Sequence, residues 1–403
     1  MSSQTISSYA PEKDTETKTG LVISAILIVL LVGSVYISQL VFQEISKSFA
    51  IDILDARFIF SLSCFFYAIA FFIYGPLSDT VATKKLVYFG CLGTIFCLGI
   101  ASIVSTYYIY LCMMSLVGFF SAAVPAALFA WTARNTPDHR LTQSMGMLIS
   151  ASIVGIIFSR SLVAIMTDLW SWQTAFLIYA VMIVAACLLI PVGLNKTPVA
   201  EGGSEILVKD AYKAAAKLLL NRTVIIYLTL GFILFFVYLG ISSFLTFYLK
   251  GEPFNLSSTM LGWLNFAGMS AIVGAIISSR LAQRIQKKII LILFLSGVLL
   301  AVLMIGYSMA LPGVALGIFL LFLFVFGIQP VVISVLNQAV PYQSRGAVSS
   351  LYLLSCLAGG SIGTYILGIF WEHIGWDGII FICFSLIVLN IMLALLGQKQ
   401  IKV

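Results

Sequence analysis

Arg160 is the one ionisable residue set well inside an apolar stretch of this 403-residue chain. A charge at membrane depth is costly and is kept for a purpose: to bind, to pair or to gate. Three readings are open for it. It holds an anionic group of a solute, or it bridges to backbone carbonyls or Asn265 of a neighbouring helix and governs closure, or it snorkels. The span from Arg160 to Met166 is about 9–10 Å of helix, which an extended arginine largely covers. Other polar groups fall inside apolar stretches too. Tyr36, Gln39 and Gln43 share one helical face at i, i+3 and i+7. Tyr238, Asn265, Gln329, Tyr352 and Ser355 are scattered over later stretches. Polar groups avoid lipid, so an inward face is expected. With Arg160, Tyr36 and Gln39 they make the candidate solute-contacting set, although each alone is more often an interhelical hydrogen bond.

An absence is equally telling. All fifteen Asp and Glu fall in tails, loops or helix ends, and neither His139 nor His373 is deep. Proton relays through a membrane use deep carboxylates or histidines, so proton coupling is in doubt. Glu44, Asp52 and Asp55, near one mouth, are the remaining candidates. The seven cysteines all lie in apolar stretches without metal-ligand spacing, so neither a disulfide framework nor a metal is expected. No nucleotide loop, metal cluster or nucleophile constellation supports an enzyme. No cofactor is implied.

The elements that must hold these residues are membrane helices. The chain is 61% hydrophobic and 9% charged, with a mean hydropathy of +1.10. A soluble domain carries about 25% charged residues. Twelve apolar stretches reach spanning length, near 20–43, 57–78, 86–105, 107–131, 143–166, 172–194, 223–248, 257–279, 289–309, 313–336, 347–370 and 378–396. The second pair of these, 86–105 and 107–131, nearly touches and requires a tight turn. The expected class is an all-α membrane protein with twelve helices in two six-helix bundles, 20–194 and 223–396. An N-tail (1–19), a linker (195–222) and a C-tail (397–403) flank them. The linker's second part suits an amphipathic helix on the inner membrane face, or a plain tether.

With both termini placed in the cytosol, eighteen Lys and Arg fall on inner segments and three, Lys47, Arg57 and Lys250, on outer loops. That is a strong positive-inside bias. The net charge of +7 is therefore topology and not a nucleic-acid footprint.

The two bundles are one unit written twice. A shift of 204 residues carries Gly75–Lys84 onto Ser279–Lys288, Pro137 onto Pro341, Gly155 onto Gly359, Asp168 onto Glu372 and Trp172 onto Trp376. Such doubling is typical of transporters that rock one half against the other. Gly75-x-Leu77-Ser78-Asp79 followed by Lys84-Lys85 resembles the signature loop of the major facilitator superfamily, G-x-L-A-D-R-x-G-R-K. Thr80, Ala82 and Thr83 depart from it. The resemblance covers nearly the whole chain. It implies that Asp79 faces the start of helix 11, near Arg345-Gly346, and latches the inner side shut. A carboxylate at a helix N-terminus gains about 0.3–1 kcal/mol, and Arg345 would add a direct partner. Gln283 in the repeat copy cannot supply the charge, so the latch looks one-sided.

A second stretch, Gly155-x-x-x-Ser159-Arg160, resembles the helix 5 motif G-x-x-x-G-P of exporters in that superfamily, with Arg160 in place of the proline. It is similar to a branch of arabinose-efflux or acriflavine-sensitivity type permeases. Met114 and Val117 replace the basic and amide residues that many proton antiporters of the family carry in helix 4. The expected gating set is Gly75, Leu77, Asp79, Lys84, Arg345, Gly155 and Ser159. Small-residue rows in helices 5, 8 and 11 suit close packing, and Pro125 and Pro330 suit bending.

The reading is a secondary transporter in a bacterial inner (plasma) membrane that moves a small organic solute by alternating access, with export favoured. Its partners are that solute, the lipid bilayer and either protons or a counter-solute. No nucleic acid is expected, and a monomer is. The alternative is an importer or exchanger of an organic anion, such as a carboxylate metabolite or siderophore. A membrane enzyme or a receptor is the rival from another class.

Overall fold

Within hydrocarbon every backbone N–H and C=O must be satisfied internally, so long apolar runs become helices. The structure, a computed structural model, describes residues 11–194, 208–256, 260, 264 and 266–396, and no strand occurs among them. The first bundle holds α1 (Pro11–Ser34), α2 (Ile53–Thr80), α3 (Thr83–Ile103), α4 (Tyr107–Asn135), α5 (Asp138–Leu169) and α6 (Trp172–Cys187). The second holds α7 (Arg222–Lys250), α8 (Ser270–Leu281), α9 (Lys287–Tyr307) and α10 (Leu311–Gln338). It is completed by α11 (Tyr342–Trp371) and α12 (His373–Leu395). Those last two form one helical run in which Gly375, at φ 60°, takes a backbone conformation that favours glycine. Among the described residues ten helices are long and apolar enough to span a membrane, and α1 and α8 contribute shorter apolar segments. The expected tight turn between α3 and α4 spans only residues 104–106.

One sequence expectation fails in α1. The predicted helix 20–43 stops at Ser34 and continues as turns. Ser34 Oγ donates to Leu31 O at 2.7 Å, and Tyr36 N and Gln39 N donate to carbonyls three residues back. A serine hydroxyl competing for the backbone, beside β-branched Val35 and Ile37, favours such a break. A separate short helix, Phe42–Phe49, follows. Tyr36, Gln39 and Gln43 therefore do not share one helical face.

The linker residues 195–207 lie outside the described residues. After them comes the helix Val208–Leu218. Tyr212 Oη donates to Ile73 O of α2 at 2.6 Å, and Ala215 and Leu218 are buried. This helix lies over the line where α2 meets α11.

The bundles join at the end that carries Lys84, Arg134, Arg280 and Lys287, the basic end. Two seams close there, α2 against α11 and α5 against α8. Gly75 is so close to Ser350 that an added Cβ would meet the serine's Cβ at 2.7 Å, and Gly146 meets the Ser279 hydroxyl in the same way. The register exchanges these pairs, since Gly75 maps onto Ser279 and Gly146 onto Ser350. The burial of α11 falls away from the basic end. Ala347 and Ser350 of α11 are 2% exposed, whereas Tyr365, further along, is 73% exposed.

Candidate functional site

Arg160 lies on α5, half-buried. Its Nε donates to Ile156 O one turn back at 3.0 Å, and Nη1 donates to Gln39 Oε1 at 3.2 Å. The turn that ends α1 is what brings Gln39 within reach. Tyr36 of the same turn and Tyr238 of α7 both lie within electrostatic reach of the guanidinium, so both bundles face it. Among the described residues Arg160 has no acidic partner. Two acceptors inside the bundle engage two of its five donors, which tells against snorkelling. Gly155 and Ser159 do not reach across to the second bundle. An added Cβ on Gly155 would collide with the Val29 backbone, and Ser159 packs on Gly33, so both serve the close approach of α5 to α1.

Residues that sequence reasoning missed complete this cluster. Cys64 and Tyr67 of α2 lie within electrostatic reach of Tyr36, and Phe60 packs on Tyr36 with ring centroids 5.4 Å apart. Tyr238 is held against Phe322 and Phe326 of α10 at 5.1 and 5.4 Å. The alternation of α2, in which Phe60, Cys64 and Tyr67 share a face at i, i+4 and i+7, was the available signal.

The other candidates lie elsewhere. Gln329 and Tyr352 are buried together around Cys356 in the second bundle. Ser355 Oγ donates to Leu228 O at 2.8 Å and ties α11 to α7. Asn265 lies outside the described residues.

The expected contact of Asp79 with the start of helix 11 is present, with one partner corrected. Asp79 Oδ1 accepts from Gly346 N at 2.9 Å and Oδ2 from Ala347 N at 2.8 Å. The α-helical part of α11 begins at Arg345, after a 3-10 turn at Tyr342–Ser344, so these are first-turn N–H groups that its own carbonyls leave free. The cationic partner is Arg134 and not Arg345. Arg134 Nη1 lies 3.0 Å from Asp79 Oδ1, and Nη2 donates to Ser78 O at 2.9 Å. Arg345 turns away to donate to Ala133 O at 2.6 Å and to Asp138 at 3.4 Å. The last carbonyls of α4 are unsatisfied within their own helix, so they draw the guanidinium. Leu77 packs against the core, and its carbonyl accepts from the Thr80 hydroxyl. Lys84 is half-buried in the first turn of α3.

The related seam is built from other chemistry. Gln283 Nε2 donates to Gln143 Oε1 at 2.6 Å, and Thr142 Oγ1 donates to Ser334 Oγ at 2.8 Å. Lys287 Nζ donates to Ser334 Oγ and to Gln338 Oε1 at 2.6 and 2.8 Å. Under the register Gln283 stands for Asp79, Gln143 for Ala347 and Gln338 for Arg134.

Two related six-helix bundles, joined at one end and facing each other across a half-buried arginine, define a membrane transporter. The family model of the Major Facilitator Superfamily matches residues 22–364. The chain belongs to that superfamily. It is similar to an uncharacterized transporter of Buchnera aphidicola subsp. Schizaphis graminum, 24% identical over 371 residues that cover 90% of this chain and 87% of the relative. It is also similar to the inner membrane transport protein YnfM of Escherichia coli K12, 22% identical over 348 residues, 85% of this chain and 82% of the relative. Among solved structures, FucP, a transporter of the superfamily in the outward conformation, superposes with a TM-score of 0.74 at 14% identity. That match covers 94% of this chain and 99% of FucP. These relatives are transporters, not enzymes.

Proposed function

We propose that this transporter carries a small organic solute bearing a negative group across a bacterial inner membrane, by alternating access between the two bundles and as a monomer. The observation that carries the reading is Arg160. Among the described residues it is a guanidinium without an acidic partner, held by Gln39 and faced by Tyr36 and Tyr238 from both bundles. A bidentate fork next to phenols suits a carboxylate or phosphate on an aromatic or amphipathic body. The basic end faces the cytosol, on the distribution of Lys and Arg. Export is the favoured direction, on the resemblance of the Gly155–Arg160 stretch to exporters. Import or exchange of an organic anion is the second reading, favoured by the same unpaired guanidinium.

The experiment is a ligand screen by thermal stabilisation followed by flux in proteoliposomes, on wild type, Arg160→Lys and Arg160→Gln. An anionic solute should stabilise wild type, partly stabilise the lysine variant and not the glutamine variant, with a difference of about 2–5 kcal/mol in binding. Equal binding in all three with lost turnover would assign Arg160 to a gate instead. Coupling follows membrane potential or a counter-solute, because no carboxylate or histidine reaches the Arg160 cluster among the described residues. A strong flux response to an imposed pH step at clamped voltage would overturn this and direct attention to Glu44, whose Oε2 is buried without a partner.

A further inference from the structure

The 204-residue register makes the second bundle a control for the Arg160 site. Gln39 maps onto Ser243, Ile156 onto Gly360 and Arg160 onto Thr364. The contacts are repeated along with the positions. Thr364 Oγ1 donates to Gly360 O at 3.0 Å, as Arg160 Nε donates to Ile156 O. It also lies 3.3 Å from Ser243 Oγ, as Arg160 reaches Gln39. The second bundle thus keeps the same scaffold with the charge taken out. Two small hydroxyls serve there, so helix packing at this point needs no guanidinium.

The second bundle places rings opposite instead. Tyr238 of α7 stands edge-on to Phe322 and Phe326 of α10, with interplanar angles of 83° and 82°. Phe235 packs on Tyr238 with ring centroids 5.6 Å apart. The first bundle has Ser34, Gly118 and Ala122 at the positions equivalent to Tyr238, Phe322 and Phe326. This ring cluster therefore belongs to one bundle, as the charge belongs to the other. Tyr238 is 9% exposed and its ring is fixed by three neighbours, yet its hydroxyl makes no hydrogen bond among the described residues. A buried phenol ordinarily finds a partner. This one lies within electrostatic reach of Arg160.

We propose that the solute is an aromatic monocarboxylate whose carboxylate binds Arg160 and accepts from the Tyr238 hydroxyl, while its ring lies against Phe322 and Phe326. This rests on the reading of Arg160 as an anion site. Among the described residues the guanidinium is the one cation of the cluster, and the groups within its reach are the phenols Tyr36 and Tyr238. One positive charge compensates a carboxylate, whereas a phosphate dianion would keep a second charge uncompensated at membrane depth. A carboxylate has about four acceptor sites, enough for the guanidinium fork and a phenol from each bundle. Phe322 and Phe326 are half-buried, so part of each ring stays open. Fixed rings favour the edge or offset face of a third ring beyond what apolar area alone supplies. Such a solute joins the bundles, with its head on the first and its ring on the second. Tyr238 meets both ends of it and sets specificity.

The test measures binding to the full-length protein in phosphatidylcholine nanodiscs with four probes: phenylacetate, cyclohexylacetate, phenyl phosphate and phenylacetamide. Phenylacetate should bind about 5-fold tighter than cyclohexylacetate and tighter than phenyl phosphate, and the neutral amide should not compete. Tyr238→Leu and Phe326→Leu should each erase the preference for phenyl over cyclohexyl. Tyr238→Phe keeps the ring packing and so controls for folding. It should retain that preference while weakening both carboxylates about 10-fold. Equal binding of the two acids, a preference that survives Tyr238→Leu, or tighter binding of phenyl phosphate would overturn the proposal. If the anions in those cases still lose affinity in Arg160→Gln, the anionic reading of Arg160 stands without it. A wild type that binds none of the probes, or binds the amide as tightly as the acid with no effect of Arg160→Gln, would overturn both.

Discussion

The α2–α11 seam and the α5–α8 seam descend from one pattern and close the same end of the molecule, yet they hold by different means. The first is a charged latch. One carboxylate, 5% exposed, joins a guanidinium to two backbone N–H groups of a helix start. The second is a chain of neutral side chains and one lysine, built on Gln283, Gln143, Thr142 and Ser334. A buried charge pair is costly to break by removing one member, because the other is left unpaired, whereas a neutral hydrogen bond contributes only about 1 kcal/mol net. The difference teaches that the two seams, though related by the register, are held together unequally. The expected outcome is a sharper loss of closure on the Asp79 side than on the Gln283 side, which the variants below measure.

The comparison can be broken at its strongest point first. Asp79→Asn removes the charge that Arg134 needs, and closure of the basic end should weaken by about 3 kcal/mol, roughly a 100-fold fall in the closed-to-open ratio. Cysteine accessibility on the basic end of α2 and α11 should rise accordingly, and unchanged accessibility together with unchanged transport would remove Asp79 from the mechanism. Arg134→Gln leaves the carboxylate with its two backbone donors, so the loss should be smaller, about 2 kcal/mol. Arg345→Gln should leave the Asp79 contacts intact, because Arg345 caps α4 instead. If the two arginine variants behave in the reverse order, the assignment of Arg134 is wrong. The smallest effect sharpens the contrast. Gln283→Asp, exposed beside Arg140 and Arg280, should alter closure by only about 0.5 kcal/mol.

The repeat, the twelve helices and the Asp79 contact with the α11 N-terminus were legible in the residues, because apolar length and a fixed register are one-dimensional properties. What escaped depended on three dimensions. Arg134 and Arg345 are both loop-end arginines near Asp79, and only the packing of α4 against α2 and α11 decides which one turns to it. The register held a hint, since Arg134 is the counterpart of Gln338, which sits in the neutral seam. The break after Ser34 escaped because Val35, Ile37 and Val41 continue the apolar pattern that hydropathy follows. Yet that break delivers Gln39 to Arg160. Ser355 and Tyr352 looked like cavity groups because spacing shows that a polar side chain faces a neighbour, but not which neighbour.

Each seam rests on one glycine and one serine, exchanged between the bundles, and this has a mechanical consequence. α2 has 28 residues and so is about 42 Å long at 1.5 Å per residue. A bundle that rocks about its middle is a lever with arms of comparable length. A shim one methyl thick at the tip of one arm, as in Gly75→Ala or Gly146→Ala, is matched by a displacement of similar size at the far tip. On the alternating-access proposal, the glycine-serine contacts would therefore limit the travel of the bundles at both ends.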